Sequence, residues 1–259
     1  MSKQPFESYS ATSPGDWSAQ GKPLYMTFDD GPTPGVTESI VFKLADWEQR
    51  LGVPLPVTFF VLGRHIECAP LAIKLAHAYG HYIANHSYYH QNFTRAKEQG
   101  GLGGDHIAIW EQVGKTNELV ERLIGVKPEY LRPPGGGIDA SIRSLLNSKG
   151  MTPVLWDVDP QDFLTDGVPE FQRVGDILSR FFGRLSDLEG TNGGDSEETR
   201  KDKSALFADK RHVITLHHDG RDNSPGWGRQ ATLNALDSIV PALVGRGYVF
   251  RTITPGWIP

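Results

Sequence analysis

Residues 24–49 read LYMTFDDGPTPGVTESIVFKLADWEQ, and three kinds of local order follow one another within them. Leu24 to Phe28 is a short apolar and β-rich run, the composition of a strand. Asp29, Asp30, Gly31 and Pro32 interrupt it with turn residues, and Val36 to Gln49 then has the length and apolar spacing of an amphipathic helix. The pattern recurs outward along the chain. Strands are expected at Val57–Leu62, Tyr82–Ala84, Tyr130–Arg132, Pro153–Val158, Val213–Leu216 and Tyr248–Ile253. Helices are expected at Ala69–Tyr79, Asp105–Leu123, Ala140–Ser148, Glu170–Phe182 and Arg229–Val244, with Gly80, Gly125, Gly150 and Gly245 closing four of them. Such alternation predicts a parallel α/β sheet, open or closed into a barrel.

The chain has 259 residues, 38% of them hydrophobic, enough for one large domain or two small ones. Lys and Arg number 26 against 31 Asp and Glu, and no basic run or basic-aromatic stripe occurs, which argues against a nucleic-acid partner. Cys68 is the sole cysteine, so neither an internal disulfide nor a thiolate-built zinc site is available. The first residues, MSKQPFESYS, lack the apolar core of a signal peptide, and no segment approaches the length of a membrane span. Residues 186–203 are polar and rich in acids, and are expected to form a surface insertion on a domain spanning 24–259, with 1–23 as an N-terminal extension.

In parallel α/β folds ligands bind at the carboxyl ends of the strands. Titratable residues gather at those ends here: Asp29-Asp30 after the first strand, His86 and His90 in NHSYYHQNF, Arg132 in RPPGGG, the acids of WDVDPQDF, and LHHDG after the sixth strand. Each motif alone is ordinary, since an Asp pair before Gly-Pro is most often a solvated turn. Taken together they suit a catalytic metal site, which commonly uses two histidines and a carboxylate and leaves a position open for water. His86, His90 and one of the two aspartates would supply that set. A cation held by Asp30 would relieve its repulsion with Asp29 and leave Asp29 free to take a proton from bound water.

With these motifs in order, the sequence resembles the polysaccharide deacetylases, the NodB-homology carbohydrate esterases of family four. TFDDGP, HSYYH, RPPGG, DPQDF and LHH look like that family's five motifs, and the resemblance runs from Leu24 to about Ile253. It implies a distorted (β/α) barrel of about seven parallel strands. It implies Asp29 as catalytic base; Asp30, His86 and His90 as ligands of Zn2+ or another divalent transition metal such as Co2+; and Arg132 as the residue that holds the base. Gly135 would offer its backbone N–H to the acetyl oxygen, Leu216 would line the acetyl pocket, and Asp162 would orient His218, the general acid, although His217 stands beside it. The family often has an aromatic residue at the position of Gly135 and tryptophan at that of Phe163.

The expected reaction is hydrolysis of N-acetyl, or O-acetyl, groups on a glycan such as chitin oligomers or peptidoglycan, releasing acetate. Tyr88, Phe163 and Trp227 are candidate sugar-stacking residues. The expected protein is a monomer, secreted or attached to the cell envelope with its signal outside this sequence, a cytoplasmic location being the alternative. The competing readings are a carbohydrate-binding homologue without turnover and a metal amidohydrolase acting on a small amide.

Overall fold

A computed structural model describes residues 21–164, 169–190, 212–221 and 229–254. Seven parallel strands form one sheet: β1 (Lys22–Asp29), β2 (Thr58–Val61), β3 (Tyr82–Asn85), β4 (Tyr130–Leu131), β5 (Thr152–Pro153), β6 (Val213–His218) and β7 (Tyr248–Phe250). Their order is β5-β4-β3-β2-β1-β6, and β7 pairs with the first residues of β1. The helices are α1 (Val36–Leu51), α2 (Gly63–Cys68), α3 (Pro70–Ala78), α4 (His106–Ile124), α5 (Ala140–Ser148), α6 (Glu170–Glu189) and α7 (Gln230–Gly245).

The stretch Pro153–Val158, expected as one strand, does something else. Its start pairs with β4, and its end, Val158, bridges to Thr215 of β6. The segment therefore crosses from one edge of the sheet to the other, and this closes the curl into the distorted barrel. The backbone N–H of Val154 bonds to Leu131 at one edge, and that of Leu216 bonds to Val158 at the other.

Other boundaries moved for local reasons. A short helix, Gly63–Cys68, precedes the one expected from Ala69, and Pro70 begins α3 as a first-turn proline. Helix α6 continues past Phe182 to Glu189, burying Leu185, so the first residues of the polar 186–203 stretch are helical and Gly190 caps them; 191–203 lie outside the described residues. Gly245 does not end α7 but is its last helical residue, and Gly247 takes the positive φ. Asp105 caps α4 through hydrogen bonds to Ile107 N and Ala108 N.

Side chains alternate across the sheet, and this alternation positions the site. Leu24, Met26 and Phe28 of β1 face the helices, in a core shared with Ile40 and Leu44 of α1 and Ile239 and Leu243 of α7. Tyr25, with Phe60, Tyr130, Val154 and Ile214, fills the barrel interior. Thr27 and Asp29 share Tyr25's parity and point inward with it. Among the described residues, no helix is long and apolar enough to cross a membrane.

Candidate active site

Asp29 is the last residue of β1, at the carboxyl end of the barrel, and its parity turns it toward Arg132. Arg132 Nη1 donates to Asp29 Oδ1 at 2.7 Å and to Thr27 Oγ1 at 2.6 Å. Its other nitrogens reach the carbonyls of Val154 and Leu155, so the guanidinium also holds the segment that closes the barrel. The Phe60 ring lies 4.2 Å below it. Burial depresses the Arg132 guanidinium, and the Asp29 carboxylate opposes that shift.

Asp30 leaves the strand with φ 72, so its side chain does not follow that of Asp29. His86 stands just past β3, and His90 lies in an irregular loop curled by positive φ at Ser87 and at His90 itself; the i, i+4 spacing is not helical. Asn85 Oδ1 accepts from Ser87 N, and Ser87 Oγ accepts from His90 N, which fixes the curl. His86 Nε2 and His90 Nε2 each lie 3.3 Å from Asp30 Oδ1. Ligand atoms about 2.1 Å from a tetrahedral ion stand about 3.4 Å apart; both histidine-to-Asp30 separations match that, and the three ligand atoms all lie within 4.8 Å of one another.

The donor chemistry points the same way. His86 Nδ1 faces the carbonyl of Arg132 at 2.7 Å and must donate to it, which leaves Nε2 as a lone pair in the neutral ring. That lone pair faces Asp30 Oδ1, a buried atom without a hydrogen-bond donor. With both rings neutral, these electron-rich atoms would need a positive charge between them; a proton on His86, which its acidic neighbours favour against burial, would supply one, and the donor set of two imidazoles and a carboxylate also suits a divalent cation. Burial would raise the Asp30 carboxyl, but His86, His90 and His218 hold it far below the carboxylate range.

On the facing wall, His218 Nδ1 meets Asp162 Oδ1 at 2.6 Å. Asp162 is fixed in turn, its Oδ2 accepting from His218 N at 2.9 Å and Thr232 Oγ1 at 2.8 Å. Burial alone would depress the His218 imidazolium, but Asp162, with Asp30 and Asp29, outweighs it and lifts His218 to about 9. Burial likewise works against the Asp162 carboxylate, yet His218 and then Arg229 hold it well below its ordinary value. Strand β6 runs through His218 rather than ending at Leu216, so His217 and His218 face opposite sides. His217 lies outside the barrel between the rings of Phe28 and Phe181, where burial pushes it down to about 4. It cannot reach the cavity.

The two walls enclose a cavity of about 480 Å³. Gly135, at φ 58, Leu216 and Phe163 line it, as do Trp156, Asp159 and Arg229, which the sequence reading did not single out. Trp156 and Asp159 lie inside the quoted WDVDPQDF, and their place at a strand end was the available signal. Tyr88 does not join them: it is 4% exposed, packed on Gly63 with Lys115 over its ring, whereas Tyr89 is 53% exposed. Trp227 lies outside the described residues.

A family model described as Polysaccharide deacetylase matches residues 17–154, over half of the chain. The chain belongs to the polysaccharide deacetylase family. It is 31% identical over 237 residues to the chitooligosaccharide deacetylase of Rhizobium leguminosarum bv. trifolii, covering 89% of each protein. The structure of peptidoglycan deacetylase PdaC from Bacillus subtilis matches with a TM-score of 0.62 at 26% identity, over 90% of this chain and 88% of that one. A Bacillus anthracis protein described as a pseudoenzyme of the family matches with a TM-score of 0.64 at 19% identity, over 90% of this chain and 64% of that one, so it shares the fold alone. Sharing this fold does not by itself establish turnover.

Proposed function

We propose that this protein is a metal-dependent deacetylase that hydrolyses N-acetyl groups of an aminosugar polymer, chitin oligosaccharide or peptidoglycan, and releases acetate. One observation carries the reading: Asp29 and Asp30, neighbours in sequence, are parted by a backbone turn, Asp29 to Arg132 and Asp30 to His86 and His90, across one cavity from the His218–Asp162 pair. Asp30, His86 and His90 would hold the cation, with Zn2+ the default for nitrogen and oxygen donors and Co2+ also suited. A divalent ion there supplies an acidified water and polarises an acyl oxygen.

The chain's own groups do the rest. Asp29, oriented by Arg132, takes the proton of the attacking water. Gly135 offers a backbone N–H to the oxyanion, whose charge would otherwise go unmet. His218, kept protonated by Asp162, gives a proton to the departing nitrogen. An amine leaves poorly as an anion, so a charged acid on this wall favours N-acetyl over O-acetyl substrates. Phe163 and Trp156 offer rings to the sugar. Base, cation ligands and acid all come from one chain, which supports a monomer as the working unit. Wall polymers as substrates support action at the cell envelope or outside the cell.

An acetate-release panel over chitin oligomers, peptidoglycan and acetylated xylan tests the proposal, run before and after chelation and again with metal restored. Asp29→Asn is expected to lower turnover by 10²-fold or more, roughly, while the protein still binds about one ion per chain. Wild-type inactivity on every polymer would instead support a binding protein without turnover.

A further inference from the structure

Asp30 stands in the left-handed region, φ 72, which a residue with a Cβ enters only at a cost. The conformation needs outside support, and it is supported from two sides. On one side His65 of α2, itself buried, sets Nδ1 2.6 Å from the carbonyl of Asp30. A carbonyl only accepts, so Nδ1 carries the proton. Leu62 N, at the start of the same helix, donates to the carbonyl of Gly31 at 2.8 Å.

On the other side the Asp219–Gly220 turn after β6 lies against Asp30–Gly31. Asp219 N donates to the carbonyl of Asp29 at 3.1 Å. The Asp219 carboxyl presses on Gly31 so closely that a Cβ there would overlap it, and a Cβ at Gly220 would overlap the carbonyl of Asp30. Thr37, in the first turn of α1, fixes this wedge: its Oγ1 donates to Asp219 Oδ2 at 2.6 Å and accepts from Thr33 N at 2.8 Å. Asp219 Oδ1 is buried without a hydrogen-bond partner, an expensive arrangement for a carboxyl group. Neither His65 nor Asp219 lines the cavity, so what they hold must account for them.

We infer that His65 and Asp219 are positioning residues that clamp the Asp30–Gly31 backbone in its left-handed turn, aim the Asp30 carboxylate at His86 and His90, and so set how tightly the chain holds a divalent cation. The inference rests on the reading of Asp30, His86 and His90 as the cation site.

Zn2+ titrated into the chelator-stripped protein against a competing metal dye measures the affinity without substrate. His65→Leu keeps the bulk and removes the donor, whereas His65→Asn returns an N–H near the Nδ1 position. Asp219→Ala removes the wedge, whereas Asp219→Asn restores its shape and still accepts from Thr37. The expected result is Zn2+ binding about 10-fold or more weaker in His65→Leu and Asp219→Ala, with His65→Asn and Asp219→Asn recovering most of it. The visible spectrum of the Co2+-loaded protein should change in the weak variants and return in the conservative ones. If Asp219→Ala does not fold, the His65 pair carries the test. Wild-type affinity in either disruptive variant that folds overturns the inference, and so does a loss that the conservative variants fail to restore. A wild-type protein that binds no Zn2+ overturns the cation-site reading, and this inference with it.

Discussion

Arg132 and Asp29 form an ion pair at 2.7 Å inside the barrel, with both side chains closed off from solvent. Charges buried this deeply are tolerable only as a pair, because removing one partner leaves the other uncompensated. Arg132→Leu is therefore expected to cost about 3–5 kcal/mol of stability. Arg132→Lys should fall between, since an ammonium cannot reach Asp29, Thr27, Val154 and Leu155 together. Urea unfolding of the three proteins measures this. A change smaller than about 1 kcal/mol in Arg132→Leu would mean that the buried pair does not hold the fold together.

As the proposed general acid His218 must be protonated to act, so its raised value of about 9 is expected to set the alkaline limb of kcat/KM. A bound dication repels the imidazolium, so the limb should fall at or below that pH. In Asp162→Asn the largest opposing influence on burial is gone, and the limb should move toward the ordinary histidine range. Activity at pH 8 should then drop at least about tenfold, with less loss near pH 6. Profiles of both proteins from pH 5 to 10 decide it; an unmoved limb would remove His218 from the acid role.

The fold was legible because β1 and α1 announce themselves, one by an apolar, β-rich run and the other by helical spacing from Val36 to Gln49, two residues short of its end at Leu51. Barrel closure was not. Pro153–Val158 reads as a plain strand, and nothing local says that its two ends belong to opposite edges of a sheet. The candidate cation ligands could be picked out by residue type at strand ends, and the family resemblance pointed to His218, but no local physical reason separated it from His217 while the strand was taken to end at Leu216. Two more strand residues give them opposite parity, and the choice follows. Tyr88, a sugar-stacking candidate in the sequence, is buried while Tyr89 is exposed: in an irregular loop no periodicity tells which neighbour is buried, and the turn at Ser87 decides.

Phe163 is 44% exposed at the cavity and meets the His218 ring edge-on at a centroid distance of 5.4 Å. If it stacks on a sugar, Phe163→Ala should forfeit about 1 kcal/mol of binding, raising KM for oligosaccharides about fivefold. The kcat should stay within about threefold, because the ring touches no transferred proton. Steady-state kinetics on a chitin oligomer series checks the split; a fall in kcat at constant KM would assign the ring to holding His218 instead.

His217 links packing to pH. Wedged between Phe28 and Phe181 with both ring nitrogens unpartnered, it stays neutral in the fold down to about pH 4, whereas in the unfolded chain it protonates near the ordinary histidine value of 6.5. Below that value the unfolded state binds the extra proton. The contribution is fully present above pH 6.5 and is lost as pH falls toward 4, amounting to at most about 3 kcal/mol. His81, buried beside Phe59 and pushed down to about 4, adds a loss in the same window. His217→Leu keeps an apolar side chain between the two rings and has nothing to protonate. It should match or fall below the wild type in unfolding free energy at pH 7, yet lose about half as much between pH 6.5 and 4.5. Equal losses in the two proteins would mean that the buried imidazole accepts its proton without opening the core.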